Sequence, residues 1–161
     1  MVISHNSLLL SALASASASA LLPPQRVAVV TGASRGIGRG IAVELGRTGM
    51  VVFCLGRSSR SGVQSSELPG ERAVGEGLDL TVESAAEQVT AAGGRGCALR
   101  CDCASDDAIA AALASIREAE GRLDVLVCSA YSTPPGALRD DFWKQGMDMW
   151  DAVNGVGLRS V

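Results

Sequence analysis

One stretch decides the fold of this chain: Val27-Ala28-Val29-Val30-Thr31-Gly32-Ala33-Ser34-Arg35-Gly36-Ile37-Gly38. The continuous apolar run at 27–30 is typical of a strand that is buried on both faces of a parallel sheet. Three glycines then bracket a tight turn, and apolar residues recur beyond it at helical spacing, at Ile41, Ala42 and Leu45. Glycines let a backbone approach a pyrophosphate closely, and the first N–H groups of a helix attract anions. The stretch therefore predicts a dinucleotide-binding turn.

Beyond this turn the chain continues to alternate between strand-like and helical segments. The predicted strands span 50–55, 97–101 and 123–128, and the predicted helices span 81–92 and 105–120. Gly49, Gly93 and Gly121 punctuate this alternation, and Ser105 followed by two aspartates is a favourable helix N-terminus. The pattern predicts an α/β fold: a Rossmann-like, doubly wound parallel sheet in a three-layer αβα arrangement with right-handed crossovers.

The first 25 residues differ from the rest of the chain. They contain no Asp, Glu, Lys or Arg, and their Ser/Ala/Leu run is too short and too interrupted to span a bilayer stably. We expect residues 1–25 to be a disordered leader or an organelle-targeting segment. This leaves a cytoplasmic or an organellar location open. Residues 26–161 are predicted to form a partial NAD(P)-binding Rossmann domain.

Composition argues against several other functions. The net charge of −3 and the aromatic content of 3% provide neither a cationic surface nor stacking platforms for nucleic acid. The five cysteines are an odd number and lie mostly in apolar runs, which indicates reduced, buried thiols. Cys101 and Cys103 are separated by one residue and His5 is the only histidine, so we predict no metal site.

Residues Thr31 to Gly38 resemble the Thr-Gly-x-x-x-Gly-x-Gly signature of the short-chain dehydrogenase/reductase family. Asp102 follows the third strand, where the family places an Asp that contacts the adenine ring. The segments 67–70, 121–127, 142–143 and 150–151 are further similar to the branch that resembles dehydrogenase/reductase family member 1. The resemblance implies strand order 3-2-1-4, four of the seven strands of the family. Strand four is then an edge that favours oligomerisation or self-association.

The end of strand two favours NADP over NAD. An NAD enzyme usually carries an acidic residue there, whereas this chain has Gly56-Arg57. A guanidinium can pair with the 2′-phosphate of NADP, and Arg35 in the glycine turn is expected to approach it from the other side. The predicted cofactor-binding residues are Gly32, Ser34, Arg35, Gly36, Ile37, Gly38, Arg57 and Asp102.

The catalytic pattern of the family is absent from these 161 residues. Tyr131 is the only tyrosine and Lys144 the only lysine, so no Tyr-x-x-x-Lys can be drawn. Residues 128–131 stand where the family has Asn-Asn-Ala-Gly. Gly157 takes the place of the catalytic Asn, with Asn154 three residues earlier as a helix-surface residue. We assign no catalytic residue.

Two functions remain open from the sequence. The first is the N-terminal, NADP-binding part of a short-chain oxidoreductase that transfers hydride between NADP(H) and a carbonyl or alcohol substrate, inactive alone. The alternative is a non-catalytic module that binds a dinucleotide or a partner.

Overall fold

The computed structural model describes residues 25–61, 79–132 and 141–157. The predicted leader lies outside these residues, apart from Gln25, as do segments 67–70 and 158–161. The described elements are β1 (Val27–Thr31), α1 (Gly36–Arg47), β2 (Val51–Gly56), α2 (Val82–Ala91), β3 (Arg95–Arg100), α3 (Asp106–Glu120), β4 (Val125–Val127), a 3₁₀ turn (Phe142–Lys144) and α4 (Met147–Gly157).

The sheet has four parallel strands in the order β3-β2-β1-β4. This confirms the predicted order. β1 lies between two neighbours, with Val29 beside Phe53 of β2 and Leu126 of β4. All five β1 residues are buried as a consequence. The continuous apolar run in the sequence therefore marks the most enclosed strand of the sheet.

Helices cover both faces of the sheet and give the predicted three layers. Ala28 and Val30 point into one apolar cluster, which α1 and α2 close with residues such as Ala42 and Val89. Val27 and Val29 point into a second cluster, which α3 closes with Ala112 and Ile116. Successive residues of β1 thus pack into apolar clusters on opposite faces of the sheet.

β4 is shorter than predicted, and a side chain adds to the backbone bonding just before it, where the Asp124 N–H donates to the Val27 carbonyl oxygen at 2.9 Å. Asp124 Oδ2 accepts a hydrogen bond from the Val27 N–H at 2.7 Å, and Arg122 Nε donates to the same oxygen at 2.9 Å. The strand ends at Val127, so Cys128 is exposed and the prediction of a buried thiol there was wrong. Cys54, Cys101 and Cys103 are buried as predicted, while Cys97 is half-buried.

The outer edge of β4 leaves apolar surface uncovered. Leu126 is 50% exposed, although its partner Val29 across the ladder is fully buried. Among the described residues no strand pairs with the outer side of β4. Association through this edge remains a prediction. None of the described helices is long and apolar enough to cross a membrane.

Close backbone packing fixes where α1 begins. Gly38 is buried in the first turn of α1, and a Cβ added there would lie 2.5 Å from the carbonyl oxygen of Gly32. Gly40, two residues later in the same helix, is exposed and has no atom within 4 Å of the corresponding position. Close packing therefore requires a glycine at Gly38 but not at Gly40.

We predict that Gly38→Ala lowers the free energy of unfolding by about 1–3 kcal/mol, because backbone must move to admit the methyl group. Gly40→Ala is the matched control and should raise it by about 0.5–1 kcal/mol through helix propensity. Urea unfolding of both variants measures the difference. Equal effects of the two substitutions would contradict the packing described.

Asp124→Ala should lower the urea midpoint, because the Val27 N–H loses its acceptor. Hydrogen bonds from Arg122 and Val27 lower the pKa of Asp124 from its ordinary value of 3.8. A carboxylate with a lowered pKa stabilises the fold above its unfolded pKa, and this contribution disappears as pH falls through the folded pKa. The difference in urea midpoint between Asp124→Ala and the unmutated chain should therefore become smaller below pH 3.8. Glu44→Ala, which removes an exposed ion pair with Arg47, is the control expected to show little change.

Candidate dinucleotide-binding site

The carboxyl ends of β1 and β4 meet at the point where the sheet order reverses, since the chain leaves β1 toward β2 and later returns on the other side to β4. Ligands of open α/β sheets bind in the crevice at such a switch point. Gly32 lies at this point with φ +68°. A Cβ on Gly32 would lie 2.6 Å from the Ser129 carbonyl oxygen, so only glycine lets the two segments approach.

The Thr31 hydroxyl joins the same two strand ends. Its Oγ1 accepts hydrogen bonds from the N–H groups of Ser129 and Ala130, each at 3.1 Å. It also contacts the Val127 carbonyl oxygen at 3.5 Å as a donor. Thr31 therefore fixes the segment after β4 against the glycine turn. Thr31 belongs to the signature, but this bracing role was not predicted from the sequence. Its position as the last residue of a buried strand was the available signal.

The N-terminus of α1 differs from those of α2 and α3. Thr81 and Ser105 cap α2 and α3 by accepting from Ser84 N and Ala108 N, and acidic residues follow in both first turns. At α1 the cap position is Arg35, whose side chain makes no capping bond, and the first turn has no acidic residue. The first intrahelical bond of α1 runs from Arg39 N to Arg35 O at 3.3 Å. The earlier N–H groups of this turn are those that a bound anion uses at a helix N-terminus.

The turn brings Arg35 beside the residues that follow β2. Arg35 Nη2 donates to Ser58 Oγ at 3.0 Å, so its guanidinium lies beside the residue that follows Arg57. The Ala33 N–H donates to the Leu55 carbonyl at 3.0 Å and holds the turn against β2. Ser34 is buried within the turn, whereas Arg57 is exposed. Ser58 was not predicted as a site residue, although its hydroxyl directly follows Arg57 in the sequence.

Arg57 and Asp102 line one cleft of about 220 Å³ at the carboxyl ends of β2 and β3, together with Arg100, Cys101 and Ala108. Asp102 Oδ1 accepts from the Ala104 N–H at 3.0 Å, which orients the carboxylate at the turn into α3. Burial raises the pKa of the Cys101 thiol and that of Cys103, the latter to about 12. Both thiols are therefore protonated at neutral pH. Two arginines and one aspartate set the charge of the cleft.

Residues after Ser58 are held by a polar network that the sequence analysis did not predict. Arg60 pairs with Asp79 at 2.6 Å and with Glu87 at 2.5 Å. Glu83 accepts from Ser59 Oγ at 2.6 Å and from the Arg60 N–H at 3.1 Å. Burial alone would raise the pKa of Glu83, but these hydrogen bonds outweigh it and the pKa is lowered. The network fixes the backbone beside Arg57 and engages Arg60 with carboxylates.

The residues considered for catalysis do not form a catalytic group. Tyr131 is 63% exposed. Lys144 pairs with Asp141 at 2.8 Å in the 3₁₀ turn. Asn154 Nδ2 donates to the Trp150 carbonyl at 2.8 Å, which is the local helix bonding expected for it. Within the described ranges, no three His, Cys, Asp or Glu side chains gather as metal ligands do.

The geometry fits a dinucleotide. Backbone approach at Gly32 and Gly38 holds the turn against α1 and the segment after β4, the α1 N-terminus has no side-chain cap, and two arginines lie at the end of β2. Ile37 lies in the first turn of α1, and its side chain is exposed.

Two family profiles match the chain. The short chain dehydrogenase profile matches residues 26–92, and the enoyl-(acyl carrier protein) reductase profile matches residues 70–161. Dehydrogenase/reductase SDR family member 1 of Mus musculus is 36% identical over 138 residues, which cover 83% of this chain and 38% of that protein. The resemblance to that branch is thereby confirmed.

Comparison with solved structures supports the same family. A metagenomic short-chain oxidoreductase in complex with NADP superposes with a TM-score of 0.62 at 32% identity, over 84% of this chain and 51% of that one. A putative dehydrogenase from Xanthomonas campestris gives a TM-score of 0.63 at 34% identity, over 86% of this chain and 45% of that one. The chain thus spans about half or less of the proteins that it matches. It belongs to the short-chain dehydrogenase/reductase family.

Proposed function

We propose that this chain is the NADP(H)-binding part of a short-chain oxidoreductase, which transfers hydride between NADP(H) and a small carbonyl or alcohol substrate. The family binds NAD(P), and the observation that carries the choice of NADP is the presence of two arginines at the end of β2, where Arg57 lines the cleft and Arg35 donates to the neighbouring Ser58. Gly32, Ser34, Gly36, Ile37, Gly38 and Asp102 complete the proposed cofactor site.

Charge at the end of β2 is the physical basis of this preference. NAD recognition uses a carboxylate there to accept from the ribose 2′-OH, and that carboxylate would repel a 2′-phosphate. Here Arg57 opens onto the cleft and Arg35 reaches Ser58 from the glycine turn. The nearby acids Asp79 and Glu87 are paired with Arg60, which reduces their repulsion of an anion. A phosphate between Arg35 and Arg57 would accept charge-assisted hydrogen bonds.

Asp102 is the residue that we propose contacts the adenine ring. It lies at the carboxyl end of β3, in the same cleft as Arg57. One carboxylate oxygen already accepts from the Ala104 N–H, which leaves the other available as an acceptor for an amino group. An adenosine 2′-phosphate bound with its phosphate at Arg57 would therefore meet an acceptor of the required kind.

We further propose that these 161 residues do not catalyse alone. The family reaction uses a tyrosine as general acid and a lysine four residues later. Tyr131 and Lys144 are the only residues of their types, 13 positions apart in the sequence, and Lys144 is paired with Asp141. Binding of NADPH without carbonyl reduction is the expected behaviour of this chain.

The purified chain should bind NADPH more tightly than NADH. Arg57→Ala should weaken NADPH binding by about tenfold, the loss of about 1.4 kcal/mol typical of a charge-assisted hydrogen bond, and leave NADH binding unchanged. Isothermal titration at low salt measures both ligands. Arg47→Ala, at the far end of α1, removes one equally positive charge and serves as the control.

Equal affinity of the unmutated chain for NADPH and NADH would contradict the NADP preference. Turnover of a carbonyl substrate by the chain alone, followed through NADPH absorbance, would contradict the proposal that it is inactive without further residues.

A further inference from the structure

The strand order fixes the direction in which an extended dinucleotide must lie. The proposed 2′-phosphate and adenine contacts are at the carboxyl ends of β2 and β3, and the glycine turn follows β1. Neighbouring strands are about 4.8 Å apart. A ligand with its adenosine end at β2 and β3 and its pyrophosphate at the turn therefore carries its other end over β4, the next strand in the order β3-β2-β1-β4.

The residues directly after β4 are held firmly at that place. Thr31 Oγ1 accepts from both Ser129 and Ala130 N–H groups, and Gly32 packs against the Ser129 carbonyl. Ser129 Oγ lies 3.2 Å from the position that a Cβ on Gly38 would occupy. The next residue along this anchored segment is Tyr131.

Tyr131 carries an exposed aromatic ring directly after this anchored segment. The side chain is 63% exposed, and its Cδ2 lies 3.6 Å from the position of a Cβ on Gly157, at the end of α4. By the family resemblance, Gly157 occupies the place of an Asn and residue 131 the place of a Gly. The resemblance thus implies an aromatic ring gained after β4 and a side chain lost from the end of α4, and the Tyr131 ring lies at contact distance from that helix end.

We propose that Tyr131 is a positioning residue for the nicotinamide half of the bound cofactor. Its ring forms one wall of the crevice beyond the pyrophosphate, against which the nicotinamide or its ribose packs. An exposed aromatic ring that follows an anchored backbone segment suits such packing, because little entropy is lost on binding. The inference rests on the proposed dinucleotide function and assigns Tyr131 no part in proton transfer.

The test compares two ligands that share the adenosine end. NADPH carries both halves, whereas 2′,5′-ADP has the 2′-phosphate and adenine without the nicotinamide half. Tyr131→Ala should weaken NADPH binding by about tenfold, which corresponds to about 1.4 kcal/mol for an aromatic contact, and leave 2′,5′-ADP binding unchanged. Tyr131→Phe should stay within about twofold of the unmutated chain for both ligands, because the ring is retained.

Leu123→Ala is the matched control, since Leu123 is 44% exposed but precedes β4 and so lies at the opposite end of the strand. It should change neither affinity. Unchanged NADPH affinity in Tyr131→Ala, or equal weakening of both ligands, would overturn the inference while leaving the proposed function in place. Failure of the unmutated chain to bind either ligand would instead contradict the proposed function, and this inference with it.

Discussion

The arrangement of the site depends on three backbone segments that approach one another more closely than side chains would allow. The turn at Gly32 lies against the carbonyl of Ser129 on one side and against the first turn of α1, at Gly38, on the other. The Thr31 hydroxyl holds the same junction with hydrogen bonds to Ser129 and Ala130. Because of this contact, the N-terminus of α1, the end of β1 and the segment after β4 face one crevice.

Electrostatics then distinguishes one end of the sheet from the rest of an acidic chain. The net charge is −3, yet the carboxyl ends of β2 and β3 present Arg57 and Arg100 in one cleft, with Arg35 beside Ser58. Hydrogen bonds from Thr81 and Arg60 lower the pKa of Asp79, so its carboxylate is ionised and paired at neutral pH. Acidic residues follow the caps of α2 and α3 but not that of α1. Positive potential is therefore available where the turn would hold a pyrophosphate.

Much of this was predictable because it is local in sequence. The apolar run of β1, the glycine spacing and the helix that follows lie within about 20 residues, the alternation of elements predicted a parallel sheet, and the family resemblance supplied the strand order. The contacts that were not predicted from the sequence join residues that are distant along the chain. Asp124 bonds the start of β1 from 97 positions away, and Arg60 reaches Asp79 and Glu87 across a segment that no local pattern describes. Cys128 is exposed because β4 ends early, and that ending depends on pairing with β1.

The measurement that tests the central claim most directly is hydrogen exchange of the chain with and without NADPH, read by mass spectrometry. The account predicts protection in peptides that cover residues 31–39, 56–60 and 101–104, with Ser129 to Tyr131 protected as well, and no change at the amino ends of the strands. Protection absent from the glycine turn, or confined to the apolar groove between α3 and β4 around Leu113 and Leu123, would contradict it.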